Sequence, residues 1–119
     1  MAMTLNARAY AFAQALVEAG RFVPDHSGGW RAHRPSREDE DAFVEAHGYD
    51  AYGDWHLGID DVHGEQTKGR YRFPYGDFQM AHRCGLIAAE RRADQFGKLD
   101  VASAATHLIA MIDARAGVR

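Results

Sequence analysis

Cysteine is almost missing from this chain. Cys84 stands alone among 119 residues, so no internal disulfide can form, and a single thiol fits a reducing compartment. Long apolar runs are missing too: none approaches the roughly 20 residues that a membrane helix needs. The N-terminus has no basic region followed by an apolar core and a small-residue cleavage site. These absences point to the cytoplasm and to no membrane partner. Excess positive charge is also lacking. The net charge of −3 with neutral histidines argues against nucleic-acid or membrane association driven by the whole molecule's charge, and leaves only local basic strips. Without internal repeats, low-complexity segments or long linkers, residues 1–119 read as one domain.

What is present suffices for a folded core. A hydrophobic fraction of 46% against 26% charged residues is that of an ordinary globular domain, and its length needs no disulfide or metal staple. Leu5 to Ala19 carries Leu5, Ala9, Phe12, Ala13, Leu16 and Val17 at helical spacing, with Thr4 or Asn6 as cap and Gly20 as terminator. Arg21 to Pro35 reads as a small hairpin turning at Ser27, Gly28 and Gly29, with Phe22 facing Trp30. Ser36 to His47 reads as a helix opened by a Ser36/Asp39 capping box and stopped by Gly48; its acidic run, Glu38 to Asp41, suits the helix dipole.

Trp55, Leu57 and Ile59 alternate with His56, Gly58 and Asp60, which predicts a strand with one apolar face. Thr67 to Phe73 predicts its neighbour. In that second strand Lys68, Arg70 and Arg72 share one parity, while Tyr71, Phe73 and Tyr75 share the other. Pro74 and Gly76 end it, and Asp77 is placed to cap a helix over Phe78 to Phe96. That helix has a small-residue side, Ala81, Cys84, Gly85, Ala88 and Ala89. A last helix, capped by Asp100, carries the stripe Val101, Ala105, Leu108, Ile109 and Ile112 and should form an antiparallel hairpin with it. The fold class is therefore α+β: a small antiparallel sheet of hairpins covered by three to four helices, with a C-terminal helical hairpin.

Three chemistries compete for a site. The surface Lys68, Arg70, Tyr71, Arg72, Tyr75 and Asp77, neighboured by Trp30, suits an anion, an acidic protein or nucleic acid, the last disfavoured by net charge. The chain's own Glu38 to Asp41 run, or that of a second copy, would satisfy the same cations. Arg31, His33, Arg34 and Arg37 form a second basic patch beside Trp30, readable as a stacking platform or as solvated charge around a core lid. His56, Asp60 and His63 have the residue types of a zinc or iron site. However, His56 and Asp60 lie about 13 Å apart along an extended strand unless the loop folds back. Cys84 lies near His82 and Asp77, but residues two apart on one helix point about 200° away from each other, so His82 and Cys84 cannot meet there. The small-residue helix face would also serve a homo-oligomer.

The block WHLGID, then TKGRYRFPYGDF and HRCGLIAAERRA, then HLIAMID resembles one in small uncharacterised bacterial proteins. It is loosely similar to a module appended to phage head-maturation proteins. The resemblance spans Trp55 to Asp113 and rests on Lys68, Tyr71, Pro74, Asp77 and the alanine run. It implies an accessory or binding role linked to mobile elements and carries no catalytic residue. The expectation is a small binding module using the basic-aromatic strand, with no cofactor implied by any motif. The alternative is a small metal-assisted or acid/base enzyme using His56, Asp60, His63 and His82.

Overall fold

The most continuously buried stretch of the chain, Tyr52 to Gly58, leads into the middle of the sheet. In the computed structural model, which describes residues 3–117, strand β3 (His56–Asp60) lies between β1 (Met3–Leu5) and β4 (Tyr71–Pro74), antiparallel to both. Being central, β3 buries both faces: His56 and Asp60 are as enclosed as Leu57. The expected polar face of this strand is therefore inside the protein. Strand β1 takes Leu5, the first residue of the expected helix, and of the two expected caps Asn6 is the one used. Helix α1 (Ala7–Glu18) begins after Asn6, whose side chain accepts from the Ala9 amide at 3.2 Å and donates to the Gly53 and His56 carbonyls at 3.0 and 3.1 Å. One cap thus fastens α1 to the entry of β3.

Helix α3 (Arg37–Gly53) opens with the Ser36/Asp39 capping box. Gly48, at φ 84° and ψ 173°, is not helical, so the first helical piece ends there as expected and a second one follows it across a sharp break to Gly53. The basic strand is shorter than its sequence pattern. Lys68–Arg70 form a 3₁₀ turn and only Tyr71–Pro74 are extended. Phe73 takes φ 63°, a left-handed conformation rare for aromatic residues. Its ring then lies over Gly58, 2.6 Å from where a Cβ would sit, so the neighbouring strand must have glycine there.

No hairpin forms around Ser27 to Gly29. Strand β2 (Phe22–Val23) instead pairs in parallel with the distant β5 (Ala81–His82), and Trp30 starts a short helix, α2 (Trp30–His33). The expected helix start at Phe78 is likewise displaced. Phe78 adopts φ 72°, Asp77 caps the Gln79 and Met80 amides in a turn, and α4 spans Arg83–Gln95. Gly97, at φ 69°, reverses the chain into α5 (Leu99–Ala116), and α4 and α5 pack as the expected hairpin. Helices α1, α4 and α5 close over the sheet. Their core joins Leu16 and Val17 to Leu57, Leu86, Leu108 and Ile112. Asp100 lies in the first turn of α5, where it accepts the Leu5 amide at 2.9 Å and ties β1 to the helix. No helix among the described residues is long and apolar enough to cross a membrane.

The small-residue face of α4 is filled from within the chain. A Cβ on Gly85 would lie 2.7 Å from the Tyr75 carbonyl oxygen and 3.0 Å from the Trp30 ring. Gly85→Ala should therefore destabilise the fold by about 1–3 kcal/mol through overpacking. Urea denaturation measures this, and an unchanged midpoint would show that α2 does not rest on α4 as described.

Candidate metal centre

Four side chains from three separate stretches converge where α4 begins. Asp25 follows β2 and Pro24, His33 ends α2, His82 ends β5, and Cys84 lies in the first turn of α4. Asp25 Oδ2 is 2.8 Å from His82 Nδ1, 3.0 Å from His33 Nδ1 and 3.2 Å from Cys84 Sγ. His33 Nδ1 and Cys84 Sγ are 3.5 Å apart. The four donor atoms all lie within 4.8 Å of one another. The delayed helix start makes this possible, because His82 is extended and Cys84 helical. The angular objection to their meeting, sound for two residues on one helix, does not apply.

The surroundings hold the cluster in place. Asp25 Oδ1 accepts the Cys84 backbone amide at 2.7 Å. The Asp25 carbonyl accepts from Arg83, whose guanidinium also grips Asp113 of α5. On the far side of His82, Nε2 lies 2.9 Å from Asp77 Oδ2. The His33 ring stacks on that of His82 with centroids 5.1 Å apart. His82 and Cys84 are buried, whereas the His33 side chain is 43% exposed and forms the open side.

Electrostatics follow from this geometry. Burial disfavours a charge on His82, but Asp25 and Asp77 outweigh it and raise its pKa above the ordinary imidazole value. Burial likewise opposes the Asp25 and Asp77 carboxylates. Bonds from His82 to both, with further bonds from Cys84 to Asp25 and from the Met80 and Gln79 amides to Asp77, leave both pKa values below normal. The Cys84 thiol is pushed up to about 12, first by burial and then by Asp25. It is therefore no thiolate nucleophile at neutral pH. A bound metal ion would reverse that, since a coordinating thiol is deprotonated outright.

The residues expected to act from the sequence are distributed differently. Lys68 is tied to Asp41 at 2.8 Å and Glu40 at 3.4 Å, the internal acidic run that could satisfy it. Arg70 donates to the His63 carbonyl, and Arg72 donates to the Gly69 carbonyl and pairs with Asp60. These cations do not stand as a row on one strand face. Tyr71 is half-buried and donates to the Glu65 carbonyl. Tyr75 is fully buried and donates to the Asp54 carbonyl at 2.7 Å. Trp30 is buried as a lid on α4.

His56, Asp60 and His63 do not converge as ligands. His56 Nδ1 donates to the Tyr52 carbonyl at 2.8 Å, Asp60 caps the Val62 amide, and His63 is exposed over Gly69. Of the imidazole set, His82 alone enters the four-residue cluster, and Asp77 supports it from behind. Asp25 and His33 carry no site signal in the sequence, where they read as turn and basic patch. The His82-Arg83-Cys84 triplet, straddling a strand-to-helix junction, was the available signal.

No protein-family model, curated protein or solved structure matches this chain.

His56 provides a pH prediction separate from the cluster. Its burial lowers the pKa from 6.5 to about 4, so as pH falls the unfolded chain takes up this proton before the folded one. The stabilisation is complete above the unfolded pKa and is lost on acidification toward the folded value. Between pH ~7.5 and pH ~4.5 the wild type should lose about 2–3 kcal/mol more than His56→Gln. Equal losses in chemical denaturation at the two pH values would contradict the buried, neutral imidazole.

Proposed function

We propose that this protein is a small metal-binding module that holds one divalent transition-metal ion, zinc foremost, on Asp25, His33, His82 and Cys84. The observation that carries the proposal is the convergence of one sulfur, two imidazole nitrogens and one carboxylate oxygen within 4.8 Å. With bonds of about 2.0–2.3 Å, tetrahedral zinc has ligand-to-ligand edges of about 3.3–3.7 Å. The closest pair, 2.8 Å apart, must open by about 0.5–0.9 Å and the widest, at up to 4.8 Å, must close by about 1 Å to reach those edges. Asp77 on the far nitrogen of His82 supports the same reading, because a metal-bound imidazole characteristically gives its other N–H to a carboxylate.

Four protein donors leave a tetrahedral ion no open position, which favours a structural, binding-module role over metal-assisted hydrolysis. The ion would fix the segment from Asp25 to Arg34, with its basic patch, onto the start of α4. The binding-module expectation from the sequence is thus kept, but its centre moves from the Lys68 strand to this cluster.

Protein purified without a metal-affinity tag should carry about one zinc per chain by elemental analysis. A thousandfold excess of zinc over its Kd should stabilise the apo form by about 4 kcal/mol. The cobalt-substituted protein should show tetrahedral visible bands with a thiolate charge-transfer band that Cys84→Ser removes. If zinc, cobalt, manganese and iron neither co-purify nor shift the melt, the four residues form a hydrogen-bonded cluster only and the proposal fails.

Asp77→Asn should weaken zinc binding by about 10–100-fold, measured by competition with a chromophoric chelator, while leaving the ligand count unchanged in the cobalt spectrum. An affinity equal to that of the wild type would remove Asp77 from its supporting role.

A further inference from the structure

We infer that the groove beside this cluster is a binding site for the phosphate group of a small organic phosphate, held by Arg31, Arg34 and Arg91. The groove, about 600 Å³ in volume, is lined by these arginines together with Trp30, Cys84 and Ile87. That volume lies in the range of small-molecule sites. Cys84, Ile87 and Arg91 recur along one side of α4 at the three-, four- and seven-residue spacings that share a helix face. The floor of the groove is therefore a continuous strip of one helix. Arg31 and Arg34, three residues apart on α2 and its C-cap, form the opposite wall.

Most other cations among the described residues are already engaged, and the two that are not, Arg37 and Lys98, lie outside this groove. Arg8, Lys68, Arg72 and Arg83 pair with carboxylates. Arg21, Arg70 and Arg115 donate to backbone carbonyls, and Arg92 lies over the Phe96 ring. Among the described residues, Arg31, Arg34 and Arg91 have no carboxylate at ion-pair distance and donate no side-chain hydrogen bond, and all three are exposed. Three unpaired guanidinium groups around one concavity repel one another, weakly because they are exposed to water, and a bound anion would relieve that repulsion. Guanidinium forks match the oxygens of a phosphate group. Ile87 and the hydrocarbon stems of the arginines supply apolar contact for an organic body.

Nucleic acid fits less well. Trp30 is 8% exposed, its ring packed on Gly85, so it shows the groove too little of its face to stack a base, and the chain carries net negative charge.

This inference does not require the metal. The groove is lined by groups outside the ligand set except for Cys84, although an ion held by His33 would fix the turn that carries Arg31 and Arg34. The test is calorimetric titration of the 119-residue chain, as purified and after chelation, with inorganic phosphate, phenyl phosphate and a short single-stranded oligonucleotide. Phenyl phosphate should bind saturably and more tightly than inorganic phosphate. Arg34→Gln and Arg91→Gln should each weaken it at least about tenfold, with unchanged thermal melts. Arg37→Gln and Arg92→Gln, which remove the same charge outside the groove, should change it less than about twofold.

Absence of saturable phenyl phosphate binding, or equal losses in all four variants, would overturn the assignment. Tighter, groove-dependent binding of the oligonucleotide would overturn the small-molecule class. A protein that binds no metal but shows the arginine pattern upholds this site while the metal reading fails. A zinc-loaded protein indifferent to phenyl phosphate does the reverse.

Discussion

One carboxylate oxygen, Asp25 Oδ2, organises the end of the molecule where α4 begins. It lies within 3.2 Å of His33, His82 and Cys84, while its twin, Oδ1, accepts an amide at the start of α4. A half-buried charge is tolerated only when its surroundings answer it, and here every neighbour is a donor or a cation. The short β2–β5 pairing delivers Asp25 to this position, since Phe22 and Val23 lie in register with Ala81 and His82. Arg83 then locks the Asp25 carbonyl and Asp113 together from the outside. Remove the carboxylate and three elements lose their common partner.

Behind this end lies the three-stranded sheet, tied to the helices by side-chain hydrogen bonds. Asn6 fixes α1 to the start of β3, Asp100 fixes β1 to α5, and Tyr75 fixes the end of β4 to Asp54. Each is a polar side chain answering a backbone group left over where an element ends, which is where such groups need partners. Trp30 bridges sheet and site. Its ring lies on Gly85 and within 6.0 Å of the His82 ring, so the cluster and the groove share a wall.

Much of the architecture was readable in the chain where physics is local. The apolar stripe of α5 and the Gly97 reversal gave the C-terminal hairpin, the Ser36/Asp39 box gave α3, and the alternation through Leu57 gave β3. Lys68 met the Glu40 and Asp41 carboxylates as one of the available partners. The misplacements arise where distant contacts decide. Asp77 carries a helix-capping signal, but with Phe78 in the left-handed region it caps a tight turn instead, and α4 starts five residues later. The hairpin around Gly28 yielded to a strand pairing with residues nearly sixty positions away, which no local pattern encodes. The site inherits both effects: His82 and Cys84 look incompatible only if one helix holds them, and Asp25 looks like a turn residue until β5 arrives beside it. The cationic parity of Lys68, Arg70 and Arg72 failed for a related reason. A 3₁₀ turn has a different period from a strand, and each cation found a separate partner.

The separation of Asp25 from Cys84 by 59 positions has a topological consequence. Whatever joins them cinches a loop that contains α2, α3, β3 and β4. A coordinating ion there would act on the unfolded ensemble much as a covalent cross-link does, by reducing the freedom of a long stretch of chain, a gain that grows only slowly with the length enclosed. On the ribosome, the first half of the ligand set must wait until β5 and the start of α4 have emerged, so metallation would be a closing event in biogenesis and not a nucleus for it.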